Sequence, residues 1–123
     1  MKLAINIKGD STVVVLGSEE PILRSAQDAL ELMASVRYEY KSQKLVLEKS
    51  CLTEDFFSLR TGIAGEILQK FTNYGMLFAI IGDFSVYQSQ SLHDFIDECN
   101  RGGRILFLPN KEKALEKLHG IAV

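Results

Sequence analysis

Tryptophan is absent from this 123-residue chain, proline and cysteine occur only twice each, and no long apolar run is present. The longest wholly apolar stretch, Met76 to Ile81, is far shorter than the roughly 20 residues that cross a bilayer, so we expect no membrane segment. Asn6 and Lys8 interrupt the apolar residues of the N-terminus before a signal-peptide core develops. We therefore expect a cytoplasmic protein.

An excess of charge of one sign is also missing. The chain has 14 Lys and Arg residues against 16 Asp and Glu residues, which gives a net charge of −2. Because binding to a phosphate backbone depends on a basic surface that releases counterions, we expect no nucleic-acid partner.

Metal-ligand spacing is missing as well. Cys51 and Cys99 lie far apart in the sequence, and only His93 and His119 are available to join them. We therefore expect no metal, no cofactor and two reduced thiols. Cys99 falls on an apolar helical stripe and belongs to the core, whereas Cys51 lies in a loop as either an inert or a reactive thiol.

What is present is the composition of a folded domain, with 46% hydrophobic and 24% charged residues. A chain of this length hides about two thirds of its unfolded surface, which is enough for a hydrophobic core. No repeat or linker-like segment interrupts the pattern, so residues 1–123 are expected to form a single domain.

The hydrophobic pattern predicts five strands. Residues 3–16 predict a β-hairpin with its turn at residues 8–11, because the Gly and Asp in that turn tolerate positive φ. Three further short strands are predicted, at 44–49, 76–81 and 104–108. The run 76–81 is apolar on both alternating faces, which is typical of a strand covered by helices on both sides.

Apolar residues at helical spacing predict four helices, near residues 26–36, 60–73, 90–100 and 111–119. Ser25, Ser89 and Asn110 are the expected caps. The element order β-β-α-β-α-β-α-β-α predicts a single α/β domain with a five-stranded mixed sheet, right-handed crossovers and helices packed on the sheet. Whether residues 54–58 extend the second helix or form a separate turn stays open.

Two resemblances to known families accompany this pattern. Four stretches of the chain are similar to a family of short bacterial proteins known only as a domain of unknown function: Gln27 to Ala34 (QDALELMA), Thr53 to Phe57 (TEDFF), Thr61 to Phe71 (TGIAGEILQKF) and Gly82 to Ser85 (GDFS). This resemblance spans nearly the whole chain and implies no activity, substrate or cofactor.

The element order also resembles that of the sulphate-transporter and anti-sigma-factor-antagonist (STAS) domains. These are small cytoplasmic modules that bind protein partners and are often switched by phosphorylation. The resemblance implies an STAS-like fold and a phosphorylated hydroxyl at the start of the helix after the third strand. The nearest hydroxyls here are those of Ser58 and Thr61, in a connection, residues 50–59, that is longer than the short Asp-Ser-Ser-like turn of those domains.

Carboxylates follow two strands that we expect to be neighbours. Glu48 ends the third strand and Asp83 follows the fourth, and ligands of open α/β sheets bind at the carboxyl ends of the strands, near a topological switch point. With Glu66, they would serve a small hydrolase or a ligand-binding enzyme through acid/base work or cation binding. Alternatively, Asp83 braces its loop and Glu48 pairs with a cation such as Arg60.

Gly62 and Gly65 are an unusual pair for a predicted helix, because each costs about 1 kcal/mol relative to alanine there. The favoured interpretation is that this helix approaches another backbone closely. The alternative is a helix N-terminus that is open to an anion.

The connection of residues 48–60 and the polar loop of residues 82–91 form the predicted functional face, since long connections on rigid scaffolds tend to carry function. Phe56 and Phe57 are either exposed anchors for a partner, with Arg60 as a bidentate cation beside them, or rings that close the core.

These features predict a non-enzymatic protein-binding or regulatory module, whose partner is another protein or a second copy of the chain. The candidate binding residues are Glu48, Asp55, Phe57, Arg60, Thr61, Glu66, Asp83 and Ser85. The competing hypothesis is the small hydrolase described above. Ser85, His93 and Asp83 also make a Ser-His-Asp triad on paper, although the Gly-x-Ser-x-Gly elbow is missing.

Overall fold

Five strands form one mixed sheet in the computed structural model, which describes residues 1–122. The strands are β1 (Lys2–Lys8), β2 (Ser11–Gly17), β3 (Lys44–Glu48), β4 (Leu77–Ile81) and β5 (Ile105–Leu108). The helices are α1 (Ala26–Tyr40), α2 (Ile63–Asn73), α3 (Gln90–Gly102) and α4 (Lys111–His119). The predicted single α/β domain and its element order are confirmed. None of the helices within residues 1–122 has the length and apolar character needed to cross a membrane.

The chain begins with the predicted hairpin. β1 and β2 pair antiparallel without interruption from Lys2 opposite Gly17 to Lys8 opposite Ser11. Gly9 has φ 60°, whereas Asp10 does not have a positive φ. This is the pattern of a type II′ turn, in which glycine occupies the first central position. The predicted hairpin with its turn at residues 8–11 is confirmed, and Gly9 supplies the positive φ.

The strands follow one another across the sheet in the order β1-β2-β3-β4-β5, and all pairs after the first are parallel. A topological switch point requires the order to reverse, and here it does not. The expected switch-point site is therefore absent from the described sheet. Glu48 and the residues after Ile81 nevertheless lie at the same edge of the sheet, because β3 and β4 are parallel neighbours.

Alternate residues of the strands enter two separate cores. Phe78 and Ile80 of β4 pack into the larger core with α1, α2 and α3, and Leu77 and Ala79 pack into a smaller core with α4. Side chains of successive strand residues point to opposite faces, so this division follows from the pattern of β4 alone. The prediction that this strand is covered on both faces is confirmed.

The predicted helix caps are confirmed. The side chains of Ser25, Ser89 and Asn110 accept hydrogen bonds from the backbone N–H groups of Asp28, Leu92 and Lys113, respectively. α1 continues to Tyr40, beyond the expected end near residue 36, and stops where Lys41 adopts the left-handed conformation.

α2 begins at Ile63 and not at residue 60 as predicted. Leu59–Thr61 form a 3₁₀ turn, and Gly62 then has φ 78°, which is incompatible with a continuous α-helix. Glu54–Phe57 form another 3₁₀ turn. The open question about residues 54–58 is thereby answered, since they do not extend α2.

The two edges of the sheet differ. At the β5 edge, the side-chain amide of Asn100 accepts a hydrogen bond from Phe107 N (2.8 Å) and donates one to Phe107 O (3.2 Å), as a neighbouring strand would. At the other edge, all seven residues of β1 are exposed. An unpaired edge is a template for another strand, so the Asn100 side chain protects one edge while the other stays open.

We predict that Asn100→Leu destabilises the domain by about 1–3 kcal/mol, because it removes both hydrogen bonds from partly buried backbone groups. Chemical denaturation would measure the loss. Asn73→Leu is the matched control, since Asn73 is exposed and bonds only to the exposed Gln69 side chain. Equal stability of the two variants would contradict a role for Asn100 at the edge.

Candidate functional site

The two connections that were predicted to form a functional face do meet. Residues 57–60 line one side of an open depression of about 460 Å³, and residues 87–89, 91 and 92 line the other side. We call this depression the rim groove. It lies between the 3₁₀ segments that follow β3 and the start of α3.

Aromatic rings form the floor of the rim groove. Phe57 stacks on Tyr87 with ring centroids 5.0 Å apart and packs edge-on against Phe56 at 5.1 Å. Phe56 is fully buried and Phe57 is only 4% exposed. The interpretation of this pair as exposed anchors was therefore wrong, because the rings close the core over the end of the sheet. Phe57 and Tyr87 both line the groove.

Polar groups hold Tyr87 in place. Its hydroxyl lies 3.3 Å from a carboxylate oxygen of Glu54, and the Lys49 ammonium lies 4.6 Å from the ring centroid in a cation–π contact. His93 Nε2 lies 2.7 Å from the Tyr87 carbonyl and ties the loop to α3. Burial, together with the charge and the hydrogen bond of Glu54, raises the pKa of Tyr87 to about 12. Its hydroxyl is therefore protonated at neutral pH and donates to Glu54.

The other candidate residues of the first connection have different surroundings. Arg60 is exposed at the groove and forms no ion pair with the described residues. The Thr61 hydroxyl lies 2.7 Å from the Asp55 carbonyl oxygen and 2.9 Å from that of Ser58, so it joins the two 3₁₀ turns. The Asp55 side chain is exposed. Ser58 is exposed and lines the groove.

Asp83 braces the loop after β4. Its carboxylate accepts hydrogen bonds from the Ser85 backbone N–H (2.9 Å) and from the Ser85 hydroxyl (2.5 Å). These bonds lower the pKa of Asp83, and the charge of Lys49 adds to the effect. A carboxylate that stays ionised in this way is a poor proton donor at neutral pH.

The three carboxylates of the hydrolase hypothesis are not gathered in one place. The Glu48 side chain lies over Gly17, whose added Cβ would be 1.7 Å from Glu48 Oε1, and it does not pair with Arg60. Glu48 lines a separate depression beside Gly17, which neither Asp83 nor Glu66 lines. Glu66 is exposed in the first turn of α2.

Within residues 1–122, Ser85, His93 and Asp83 are not arranged as a catalytic triad, and no metal site is formed. The Ser85 hydroxyl bonds to Asp83, and the His93 ring bonds to the Tyr87 carbonyl, so serine and histidine are not paired with each other. No group of three or more His, Cys, Asp or Glu side chains in this part of the chain is arranged to hold a metal ion.

The cysteines behave as structural residues. Cys51 is fully buried, and burial with the nearby charge of Glu48 raises its pKa to about 11. Because the thiolate is the reactive form, Cys51 is an inert thiol at neutral pH. Cys99 is half-buried and packs against the larger core, as its position on the helical stripe predicts.

No other backbone packs closely against the glycines of the 61–66 stretch. An added Cβ at Gly62 or at Gly65 would meet nothing within 4 Å, so the favoured interpretation of this pair was wrong. Gly62 is needed for its positive φ at the start of α2, whereas Gly65 is exposed within the helix.

A second polar cluster was missed by the sequence reasoning. Lys44 is only 2% exposed, and its ammonium bonds to the Ser11 hydroxyl (2.8 Å) and to the Ile121 carbonyl (2.6 Å). The His119 ring lies 2.7 Å from Ser11 Oγ and 2.7 Å from Asn6 Oδ1. This cluster, which we call the hairpin clamp, joins the end of α4 to β1 and β2. The sequence feature that could have indicated this cluster is Lys44, a charged residue in a predicted central strand.

The fold is that of a small mixed-sheet α/β domain in which four helices cover the two faces unequally. The chain belongs to the DUF4180 family, described as a domain of unknown function, whose sequence profile matches residues 8–118. The family membership expected from the residues is thereby confirmed. No curated protein and no solved structure matches the chain.

We predict opposite effects of alanine at Gly62, which precedes α2, and at Gly65, which lies within it. Gly62→Ala should destabilise the domain by roughly 1–2 kcal/mol, because a Cβ is disfavoured in the left-handed region. Gly65→Ala should stabilise it by about 0.5–1 kcal/mol, because it meets open space within a helix. Each change is the control for the other in denaturant unfolding, and effects of the same sign would contradict this assignment.

We also predict that the hairpin clamp weakens in acid. Burial, with the charges of Lys44 and Lys8, lowers the pKa of His119 below its usual 6.5. As the pH falls, the unfolded chain takes up this proton before the folded protein does, so His119 contributes stability above about pH 6.5 that is lost as the pH falls through the folded pKa.

The melting temperature should therefore decrease more steeply between about pH 7.5 and pH 5 in the wild type than in His119→Gln, which has no ring to titrate. Thermal melts at closely spaced pH values would measure both profiles. Parallel profiles would show that His119 has the same pKa in the folded and unfolded states.

Proposed function

We propose that this protein is a non-enzymatic protein-binding module, STAS-like in fold and cytoplasmic, and that its partner binds in the rim groove. The observation that carries the proposal is that two separate connections meet in one open depression with a preformed aromatic floor. Pockets of this kind, in which a rigid ring lies beside a free cation, are typical of binding hot spots.

The charge of Arg60 at the groove favours an acidic segment of the partner. Arg60 is exposed there without an ion pair among the described residues. A guanidinium can bind a carboxylate through two parallel hydrogen bonds, which gives orientation as well as energy. The hydroxyls of Ser58 and Ser91 on the groove are available for further hydrogen bonds.

The dispersed carboxylates support a binding function over hydrolysis. General acid/base catalysis needs two groups close to one substrate with pKa values pushed apart. Here Asp83 is engaged by Ser85, Glu48 lies over Gly17, and Glu66 is on the exposed side of α2.

The element order supports the STAS-like part of the proposal, and two unpaired cysteines are compatible with a reducing compartment. If the module is switched by phosphorylation, Ser58 is the better acceptor than Thr61. The Thr61 hydroxyl is held by two backbone carbonyls, whereas Ser58 is exposed on the groove that Arg60 also lines. A phosphate there would add about −1.5 to −2 charge and compete with an acidic partner for Arg60.

The proposal is tested by capturing the partner from cell extract and then measuring its affinity for purified variants. Arg60→Ala should raise the dissociation constant about tenfold or more, and Ser91→Trp, which fills the groove without adding a charge, should do the same. Lys117→Ala is the matched control, because it removes an exposed cation from α4, on the other face of the sheet.

Equal binding by all of these variants, with folding intact, would place the interface elsewhere. A screen against esters and phosphoesters tests the competing hypothesis. Turnover that is abolished by Asp83→Asn would overturn the binding-module proposal.

A further inference from the structure

The edge strand β1 and the residue before it, Met1, carry the largest set of uncovered apolar side chains that the structure describes. Met1, Leu3, Ile5 and Ile7 are 80%, 43%, 39% and 68% exposed, respectively. These side chains share one face of the sheet, because Leu3 and Ile5 lie opposite Leu16 and Val14 of the larger core. The helices on that face do not cover β1. Proteins usually protect such an edge with proline, bulges or charged side chains. β1 has no proline and no bulge, and its only charges are Lys2 and Lys8 at its two ends, on the face opposite the apolar side chains.

The backbone of β1 is open as well. The turn places Lys8 and Ser11 in a hydrogen-bonded pair, and such pairs alternate along an antiparallel ladder. The even-numbered residues of β1 therefore bond to β2. Leu3, Ile5 and Ile7 direct their N–H and C=O groups towards the free edge.

We propose that β1 pairs antiparallel with β1 of a second copy of this chain and joins the two sheets across a two-fold axis. The second copy is favoured because the opposite edge of the sheet is closed by the Asn100 amide. Growth of β1 onto β5 of another molecule is thus blocked, and the open edge finds a complementary edge in itself. A two-fold contact of this kind closes after two copies and forms no fibre.

Charge and apolar pairing select the register. A two-fold axis at Ile5 would place Lys2 directly opposite the partner's Lys8, and like charges in that position are destabilising. An axis at Asn6 would leave Leu3 opposite the partner's Gly9. An axis at Ala4 places Leu3 opposite the partner's Ile5 and Met1 opposite the partner's Ile7, so all four apolar side chains are paired. The axis therefore passes through Ala4.

The contact is narrow, since it uses one strand of seven residues and its side chains. Interfaces below the usual size of about 1,600 Å² are characteristic of reversible association. We therefore expect a dimer that dissociates on dilution. It leaves the rim groove free, because residues 57–60 and 87–92 lie at the α2 and α3 side of the molecule and not at β1.

Disulfide cross-linking of single-cysteine variants tests the register directly. Ala4→Cys, Ile5→Cys and Asn6→Cys are made in a Cys99→Ser background, in which the remaining Cys51 is fully buried. With the axis at Ala4, the two Cα atoms at that position form a non-hydrogen-bonded pair about 4.5 Å apart, within the range of a disulfide. Residue 5 and the partner's residue 5 are diagonal neighbours at about 7–8 Å, beyond that range.

Under mild oxidation, Ala4→Cys should form a disulfide-linked dimer at least about tenfold faster than Ile5→Cys or Asn6→Cys. Adding Ile5→Lys to Ala4→Cys should abolish the cross-link, because it places like charges at the contact. Tyr38→Lys is the matched control, since it adds the same charge at an exposed aromatic position of α1 and should leave the cross-link unchanged.

Sedimentation of the unmodified protein over a range of concentrations completes the test. A reversible monomer–dimer equilibrium that Ile5→Lys abolishes and Tyr38→Lys preserves supports the proposal. Faster cross-linking at residue 5 or 6 overturns the register, and a wild-type monomer at every concentration overturns the dimer.

Discussion

The sheet never reverses its strand order, and most features of the domain depend on that constraint. Each of the three helices that connect the parallel strands lies on the same face, so only α4 is left to cover the other. These helices cover the strands that they connect, from β2 to β5, and β1 is left without cover. The same order removes the crevice in which doubly wound sheets bind ligands. The rim groove is instead formed by the connections themselves.

A chain of aromatic rings links those connections to the sheet. Phe57 contacts Phe84 at 6.1 Å, and Phe84 contacts Phe107 of β5 at 5.4 Å. The loop after β4 and the segment after β3 are thus held to one rigid core. Neither contains an α-helix or a β-strand, and the segment after β3 contains only 3₁₀ turns. Ring pairs at such distances add about 0.5–1.5 kcal/mol each beyond their buried area. The groove is therefore a built feature of the domain and not a gap between mobile loops.

Local sequence patterns predicted much of this fold, whereas contacts between residues distant in the sequence were not predicted. The caps at Ser25, Ser89 and Asn110 act over three residues, and the apolar run of β4 reports its own burial. The start of α2 was misplaced because a 3₁₀ turn has nearly the same side-chain spacing as a helix.

Local sequence patterns could not predict which side chains pair with one another in the site. Phe57 meets Tyr87 from thirty positions away in the sequence, and Lys44 meets Ile121 from still further. Periodicity shows that a lysine or a phenylalanine is present on a face, but it contains no information about which distant group that side chain will meet. For this reason, the sequence left Phe57 open as either an exposed anchor or a core ring, and it indicated no contact for Lys44.

The position of Tyr87 has a spectroscopic consequence. The chain has four tyrosines and no tryptophan, so its ultraviolet emission comes from phenol rings without energy transfer to an indole. Of these rings, only Tyr87 lies in the rim groove, where it bonds to a carboxylate and stacks on Phe57. A molecule that enters the groove and displaces Glu54 from the phenol alters the surroundings of this one fluorophore. The protein thus carries a native optical probe at the surface where a partner is expected.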